Sequence, residues 1–246
     1  MQPDTEPVVV FIQHEAAAGP GLVGARMRHR GIPTTTVHAY AGDPVPSDLD
    51  GMLGLVVLGG AVGPCEDDAA PWLPDVRNLL QQAVSRDLPT LGLCLGAELL
   101  AVACGGAVTR MVGAPELGLH SLRLTSAGRA DLLLSAMSED AMAVEWHQEE
   151  ISSLPQDAVS LCETSRCPNQ AFRLGDRVWG TQFHPEVLAV DIEPWAAADT
   201  DGLARAGRTA TDVLDEVRAA EDRLRHEWEA LADRWIDLLS PGGPVG

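Results

Sequence analysis

Apolar positions along this chain follow two regimes. In the first hundred residues, short unbroken apolar runs alternate with amphipathic stretches. Val8 to Ile12 (VVVFI) is a continuous, mostly β-branched run, the pattern of a strand buried on both faces. GPGLVGARMRHRG then predicts a loop, a short helical stretch and a glycine stop at Gly31. Thr34 to His38 is a second strand, and Met52 to Leu58 a third, ending at Gly59-Gly60. Pro74 to Arg86 carries Val76, Leu79, Leu80 and Val84 on one side of a helix. Thr90 to Leu93 is a fourth strand, followed by a helix from Leu95 to about Cys104. Strands alternating with helices predict a parallel sheet with right-handed crossovers.

The second regime starts after Gly106. Short β-like pieces follow at His120 to Thr125, Ala141 to Trp146, Ala158 to Glu163, Ala171 to Leu174 and Val178 to Phe183. Turn residues at Pro168-Asn169 and Gly175-Asp176 separate several of them. These pieces are expected to complete the sheet and add antiparallel strands beside it. From Thr211 to Leu239 the spacing of Leu214, Val217, Leu224, Trp228, Leu231, Trp235 and Leu238 predicts one long amphipathic helix, with an acidic interruption at Glu221. Such a tail is expected to pack on its own domain. A homodimer seam through this C-terminal helix is the second reading, since two Trp could equally meet another chain. The expected organisation is a unit over residues 1–190 and a helical extension over 191–246.

Charge removes some partners. The formal charge is −19, from 36 acidic residues against 17 Lys and Arg, so nothing here would neutralise phosphates and no nucleic-acid partner is expected. No apolar run approaches the ~18 residues that cross a bilayer, and MQPDTEPVVV has no basic leader, so a cytoplasmic chain with no membrane partner is expected. The five cysteines, Cys65, Cys94, Cys104, Cys162 and Cys167, form no CxxC pair. That argues against a disulfide framework or a zinc ribbon and leaves one or two thiols for chemistry.

Cys94 is the thiol placed for it. Gly92-Leu93-Cys94-Leu95-Gly96 has the form Gly-x-nucleophile-x-Gly at a strand-to-helix junction. Flanking glycines remove Cβ atoms that would collide in so tight a turn. The helix N-terminus favours thiolate over thiol, and the free amides after the nucleophile, starting with Leu95, suit a developing oxyanion. A base and a group to orient it stand together in Gly180-Thr-Gln-Phe-His184-Pro-Glu186, at the end of the last predicted strand.

Together these segments resemble the class I, triad-type glutamine amidotransferase domain, and within it the stand-alone GMP-synthase-like proteins. The likeness runs from about Val8 to Val190 and includes VVLGGAVGPCEDDAAPWL, GLCLGAELLA, PELGLHSLRLT, CPNQAF and WGTQFHPEV. It implies an α/β fold: a flavodoxin-like, open, mostly parallel sheet with helices on both faces. It also implies a Cys94–His184–Glu186 triad, oxyanion donors at Gly60 and Leu95, and a γ-glutamyl thioester that water resolves. Neither cofactor nor metal is implied. A glutamine-like small molecule is the implied substrate, and an ammonia-accepting synthetase the implied partner.

Three positions depart from the family pattern. Glu98 stands where Gln commonly helps bind the substrate's amino-acid head, which opens the way to a γ-glutamyl conjugate other than glutamine. Ala61 replaces the usual Pro after the double glycine. Trp146-His147-Gln148-Glu149 replaces a His-Gly-Asp loop, with His147 expected either to line the pocket or to pack. A catalytically idle binding or regulatory protein on the same scaffold remains the rival from another class. A cysteine α/β-hydrolase is disfavoured, because there the acid normally precedes a late His by far more than two residues.

Overall fold

The computed structural model describes residues 6–239, so the first five residues of the expected 1–190 unit and the last seven of 191–246 lie outside the described residues. The first half of the chain lays down β1 (Val8–Gln13), α1 (Gly21–His29), β2 (Thr34–His38), β3 (Met52–Val57), α2 (Leu73–Arg86), β4 (Thr90–Leu93) and α3 (Leu95–Ala103). There follow β5 (Ala107–Arg110), β6 (Glu116–Ser121), β7 (Arg123–Leu124), α4 (Ser126–Arg129), β8 (Met142–His147), β9 (Glu149–Ser153), β10 (Val159–Glu163), β11 (Ala171–Leu174) and β12 (Val178–Thr181). Four helices close the chain: α5 (Ala189–Ala198), α6 (Thr200–Ala206), α7 (Ala210–Ala219) and α8 (Glu221–Asp237).

The main sheet has eight strands in the order β2-β1-β3-β4-β12-β11-β10-β7. Neighbours from β2 to β12 run parallel, and β11, β10 and β7 add antiparallel pairings at the far side. The parallel part has the strand order of a flavodoxin-like sheet. Continuous apolar runs make sense of it: Val9, Phe11, Val56, Leu91 and Leu93 enter one core, with α1 and α8, while Val10, Ile12, Leu55 and Val57 enter the other, with α2 and α3. Beside the sheet, β5 pairs with β9 and β6 with β8 as two-stranded ribbons.

The C-terminal segment differs from its expected form. Instead of one helix from Thr211, α7 and α8 are separated at Ala220, which ends the first and starts the second. Each half has its own partners: α7 packs on α5 and β6, α8 on α1. A straight helix could not serve both surfaces. The tryptophan side of α8 faces the protein's own core, where Trp228 and Trp235 are fully buried and Trp228 lies 5.3 Å from Phe183, centroid to centroid. Arg26 on α1 clamps Asp233 on α8 at 2.5 Å, and Arg30 reaches Asp237 at 2.7 Å. The apolar seam that suggested a homodimer is thus spent within the chain. No helix among the described residues is long and apolar enough to cross a membrane.

A candidate active site at the carboxyl ends of four strands

In an open parallel sheet, loops leaving the carboxyl ends of adjacent strands converge on one crevice. Here His14 follows β1, Gly59-Gly60 follows β3, Cys94 follows β4 and His184 lies just beyond β12, all in neighbouring strands. A cavity of about 730 Å³ opens there, lined by Gly60, Cys94, Glu98, His147 and His184 among others.

Cys94 takes φ 49° and ψ −106°, in the left-handed half of the map that a side chain rarely adopts. Such a conformation costs on the order of 1–3 kcal/mol and persists only where its surroundings impose it. Two features impose it. The Cys94 N–H is held by the Thr181 carbonyl at 2.7 Å, and the Cys94 carbonyl accepts the Glu98 N–H at 3.0 Å to begin α3. The flanking glycines then become obligatory. A Cβ on Gly96 would collide with the Val57 carbonyl oxygen, and one on Gly92 would stand 2.7 Å from the Gly96 carbonyl carbon.

His184 is fixed from both sides. Its backbone N–H donates to the Val144 carbonyl at 2.9 Å, joining it to β8, and its Nδ1 lies 2.7 Å from Glu186 Oε1. The other ring nitrogen, Nε2, is buried and has no hydrogen-bond partner among the described residues, and the ring stands beside Cys94, whose sulfur acts on its charge. Burial alone would lower the His184 pKa, but the Glu186 charge and the Cys94 sulfur outweigh it and raise it well above the ordinary value. Gly59 makes room for this pairing, since a Cβ there would lie 3.1 Å from His184 Cε1 and 3.7 Å from Cys94 Cβ. Among the described residues, the N–H groups of Gly60 and Leu95 have no backbone or side-chain acceptor. Cys162 and Cys167, by contrast, are pushed up to about 12 by burial, and Cys104 is raised for the same reason, so none of these thiols ionises readily.

The departures from the family pattern acquire local reasons. Ala61 keeps an N–H that proline would lack, and it donates to Glu15 Oε2 at 3.2 Å, pinning the loop after β3 to the loop after β1. Glu98 is buried on α3, and burial pushes its pKa up to about 7, against a hydrogen bond of 2.9 Å from Gln182 Nε2. A fraction of it therefore stays protonated near neutrality, and in that form it offers an O–H donor beside a carbonyl acceptor. Gln182 Nε2 also lies 3.8 Å from the Cys94 sulfur, a role that no local pattern around Gln182 signals.

His147 lines the cavity, but its nitrogens are committed elsewhere. Nδ1 lies 2.6 Å from the Glu149 carbonyl, and Nε2 stands 3.2 Å from both Glu116 Oε2 and Glu145 Oε2. These three are the group, among the described residues, whose donor atoms lie close enough to share a cation, within 4.8 Å of one another. Burial opposes a charged His147, yet the Glu116 and Glu145 carboxylates beside it raise its pKa well above the ordinary value. Glu116, though desolvated, is lowered overall by His147 and Thr164, while burial raises Glu145. Thr164 Oγ1 and Gln170 Nε2 each donate to Glu116 at 2.8 Å. Sequence reasoning missed Glu116 and Gln170 as partners, although both stand in quoted motifs, PELG and CPNQAF.

Two further segments lie at the rim of the site. Glu15 borders the cavity, whereas His14 lies behind it, accepting the Trp72 Nε1–H at 2.9 Å with its pKa lowered to about 4 by burial. In the run Glu66-Asp67-Asp68, Glu66 also lines the cavity, and Asp67 is paired with Arg77 at 2.7 Å.

Comparison with known proteins bears on the family and the fold. The family model "Glutamine amidotransferase class-I" matches residues 22–192. The chain is 29% identical to the glutamine amidotransferase-like protein YfeJ of Salmonella typhimurium over 215 residues, which is 86% of this chain and 89% of that protein. It is 30% identical over 167 residues to the glutamine-hydrolyzing GMP synthase of Porphyromonas gingivalis, a match that spans 68% of this chain and 30% of that longer enzyme. Among solved structures, a glutamine amidotransferase from Methylobacillus flagellatus superposes with a TM-score of 0.85 at 28% identity, covering 99% of both chains.

Proposed function

The chain belongs to the class I glutamine amidotransferase family, and from that membership we propose that it cleaves glutamine or a related γ-glutamyl amide at Cys94. The observation that carries this reading is the meeting, in one cavity, of a thiol on a strained turn with a buried imidazole whose far nitrogen is held by a carboxylate. In the proposed cycle, the Cys94 thiolate attacks the amide carbonyl and a C–S bond forms. The Gly60 and Leu95 N–H groups receive the oxyanion. His184 passes its proton to the departing nitrogen as the C–N bond breaks, leaving a thioester. Water, deprotonated by the same imidazole, then adds to the thioester, and the C–S bond breaks. The net reaction is amide plus water to carboxylic acid plus ammonia or amine.

Glu186 orients the ring and stabilises the imidazolium, as the carboxylate of a hydrolytic triad does. Glu98, bonded to Gln182 and with its pKa raised to about 7, offers the substrate's head a carboxyl group that is only partly ionised near neutrality. Because one relative is a glutamine-hydrolyzing GMP synthase, an ammonia-accepting synthetase is the partner we propose for any ammonia made here. The test is release of ammonia from glutamine, and of amine from γ-glutamyl amides, by wild type, Cys94→Ala and His184→Asn. Release by wild type alone supports the reading. Equal release by all three, or by none, overturns it in favour of an idle scaffold.

A further inference from the structure

The cavity is larger and more acidic than glutamine requires. Its volume of about 730 Å³ falls within the roughly 300–1,000 Å³ that encloses drug-sized ligands, well beyond the needs of one amino acid. Around the nucleophile stand Glu15, Glu66, Glu149 and Asp199, while Arg110 is the one lining residue with a permanent positive charge. Arg110 opposes Glu149 across the β5–β9 ladder, but its guanidinium is bonded to Gln148 Oε1 at 2.6 Å.

The carboxylates differ in how far they are satisfied. Glu15 and Glu66 each accept one backbone N–H, and Asp199 accepts the Gly202 N–H at 3.0 Å. The half-buried Glu149 carboxylate accepts no hydrogen bond among the described residues. Desolvation, then the neighbouring Glu66 charge, pushes its pKa up, and Arg110 offsets this only in part. Two like charges in the wall of a cavity, one lacking a donor, are relieved by a cation. Independently, Trp146 and Trp195 line the same space, with ring centroids 6.0 Å apart, and Trp195 also lies 4.8 Å from the His184 ring. Aromatic rings beside carboxylates favour an ammonium over a neutral or anionic group.

Resting on the amide-hydrolase reading above, we propose that the substrate is a γ-glutamyl amide whose amine half carries a second positive charge, as in a mono-γ-glutamyl diamine. The chemistry is unchanged. Cys94 takes the acyl group, the C–N bond breaks with a proton delivered to the leaving nitrogen, and water releases glutamate from the thioester. The products are glutamate and a free diamine. The distal ammonium, remote from the reacting carbonyl, contributes binding energy in the ground and transition states alike, so its effect belongs mainly to KM.

The test uses the full chain and a matched set of γ-glutamyl amides whose amine halves are propylamine (neutral), 1,4-diaminobutane (cationic) and 4-aminobutyrate (anionic), with Cys94→Ala as control. The cationic amide is expected to exceed the neutral one in kcat/KM by about tenfold or more, with the anionic amide slowest. Raising salt from low to high ionic strength should narrow the gap, and Glu149→Gln should lower the cationic-to-neutral ratio. If all three amides are cleaved through Cys94 at similar rates, or the neutral one fastest, the inference fails and the amide-hydrolase reading stands. If none is cleaved above the Cys94→Ala background, that reading fails and takes the inference with it.

Discussion

Two buried imidazoles lie within one site, and their carboxylates are arranged in opposite senses. At His184 the carboxylate sits on Nδ1, and Nε2 is left toward the sulfur. At His147 a backbone carbonyl occupies Nδ1, and both carboxylates crowd Nε2. Both rings have pKa values raised well above the ordinary one, against the same burial. Charge state alone therefore cannot distinguish a base from a structural cation. What distinguishes them is what stands beside Nε2: the Cys94 sulfur at His184, and the Glu116 and Glu145 carboxylates, each 3.2 Å away, at His147. The His147 charge is therefore spent on those two carboxylates, tying β8 to β6.

The sharpest way to break this comparison is to replace each ring by Asn. His184→Asn is expected to lower kcat/KM for amide cleavage by about 10³-fold or more, and to cost some stability as well, because the buried Glu186 carboxylate loses its cation. His147→Asn is expected to act mainly on stability. It leaves two buried carboxylates without their cation, which costs on the order of 3–5 kcal/mol of stability, while turnover per folded molecule falls far less. Rate assays on the folded fraction, with chemical denaturation alongside, check both. If a well-folded His147→Asn loses as much turnover as His184→Asn, the proposed division of roles is wrong.

Carboxylate variants come next in size. Glu186→Gln keeps the shape of the group but presents an amide where the imidazolium needs a charge. A loss of about 10²–10⁴ in kcat is expected, most pronounced on the alkaline side of the pH–rate profile, because without the Glu186 charge the imidazolium gives up its proton at lower pH. Glu116→Gln should leave the rate within about tenfold and reduce stability by about 1–3 kcal/mol, because Thr164 and Gln170 would still find one acceptor oxygen. A comparable rate loss in both variants would show that the two clusters act as one.

The contrast also separates what was legible in the chain from what was not. Cys94 with its two glycines, and His184 with Glu186, are each written within a few residues, because a sharp turn and a strand end impose local spacing. The central strands were legible for the same reason, since burial on both faces leaves unbroken apolar runs. The Glu116–Glu145–His147 group was not. Its members come from β6 and β8, brought together by an antiparallel register that pairs Glu116 with His147, and no local pattern encodes that meeting. Gln182, Trp195 and Asp199 escaped notice similarly, as side chains that become neighbours only when α5 and β12 close over the cavity. The break at Ala220 was hidden by a periodicity that continues across it.

Glu98 extends the comparison to a third carboxylate, buried with an amide rather than an imidazole as its hydrogen-bond partner. Without a bonded cation to hold it ionised, burial raises its pKa from 4.5 to about 7. The sign of the linkage follows. Below pH 4.5 the group is protonated in folded and unfolded chains alike. Between 4.5 and about 7 the unfolded chain releases a proton that the folded chain keeps, so this group lowers stability by up to about 1.4 kcal/mol per pH unit. Above the folded pKa the loss is complete and the dependence levels off. Glu98→Gln removes the titration. Relative to wild type the variant should show no gain from this source at pH 4, a growing advantage through neutrality, and a constant one at pH 8 and above. Turnover of glutamine should change by less than about tenfold, since one hydrogen-bonding amide-like surface replaces another. Denaturation midpoints across that pH range, set beside kcat/KM, decide the matter: a stability difference independent of pH would mean that Glu98 is ionised in the folded protein, held by a cation as Glu116 is.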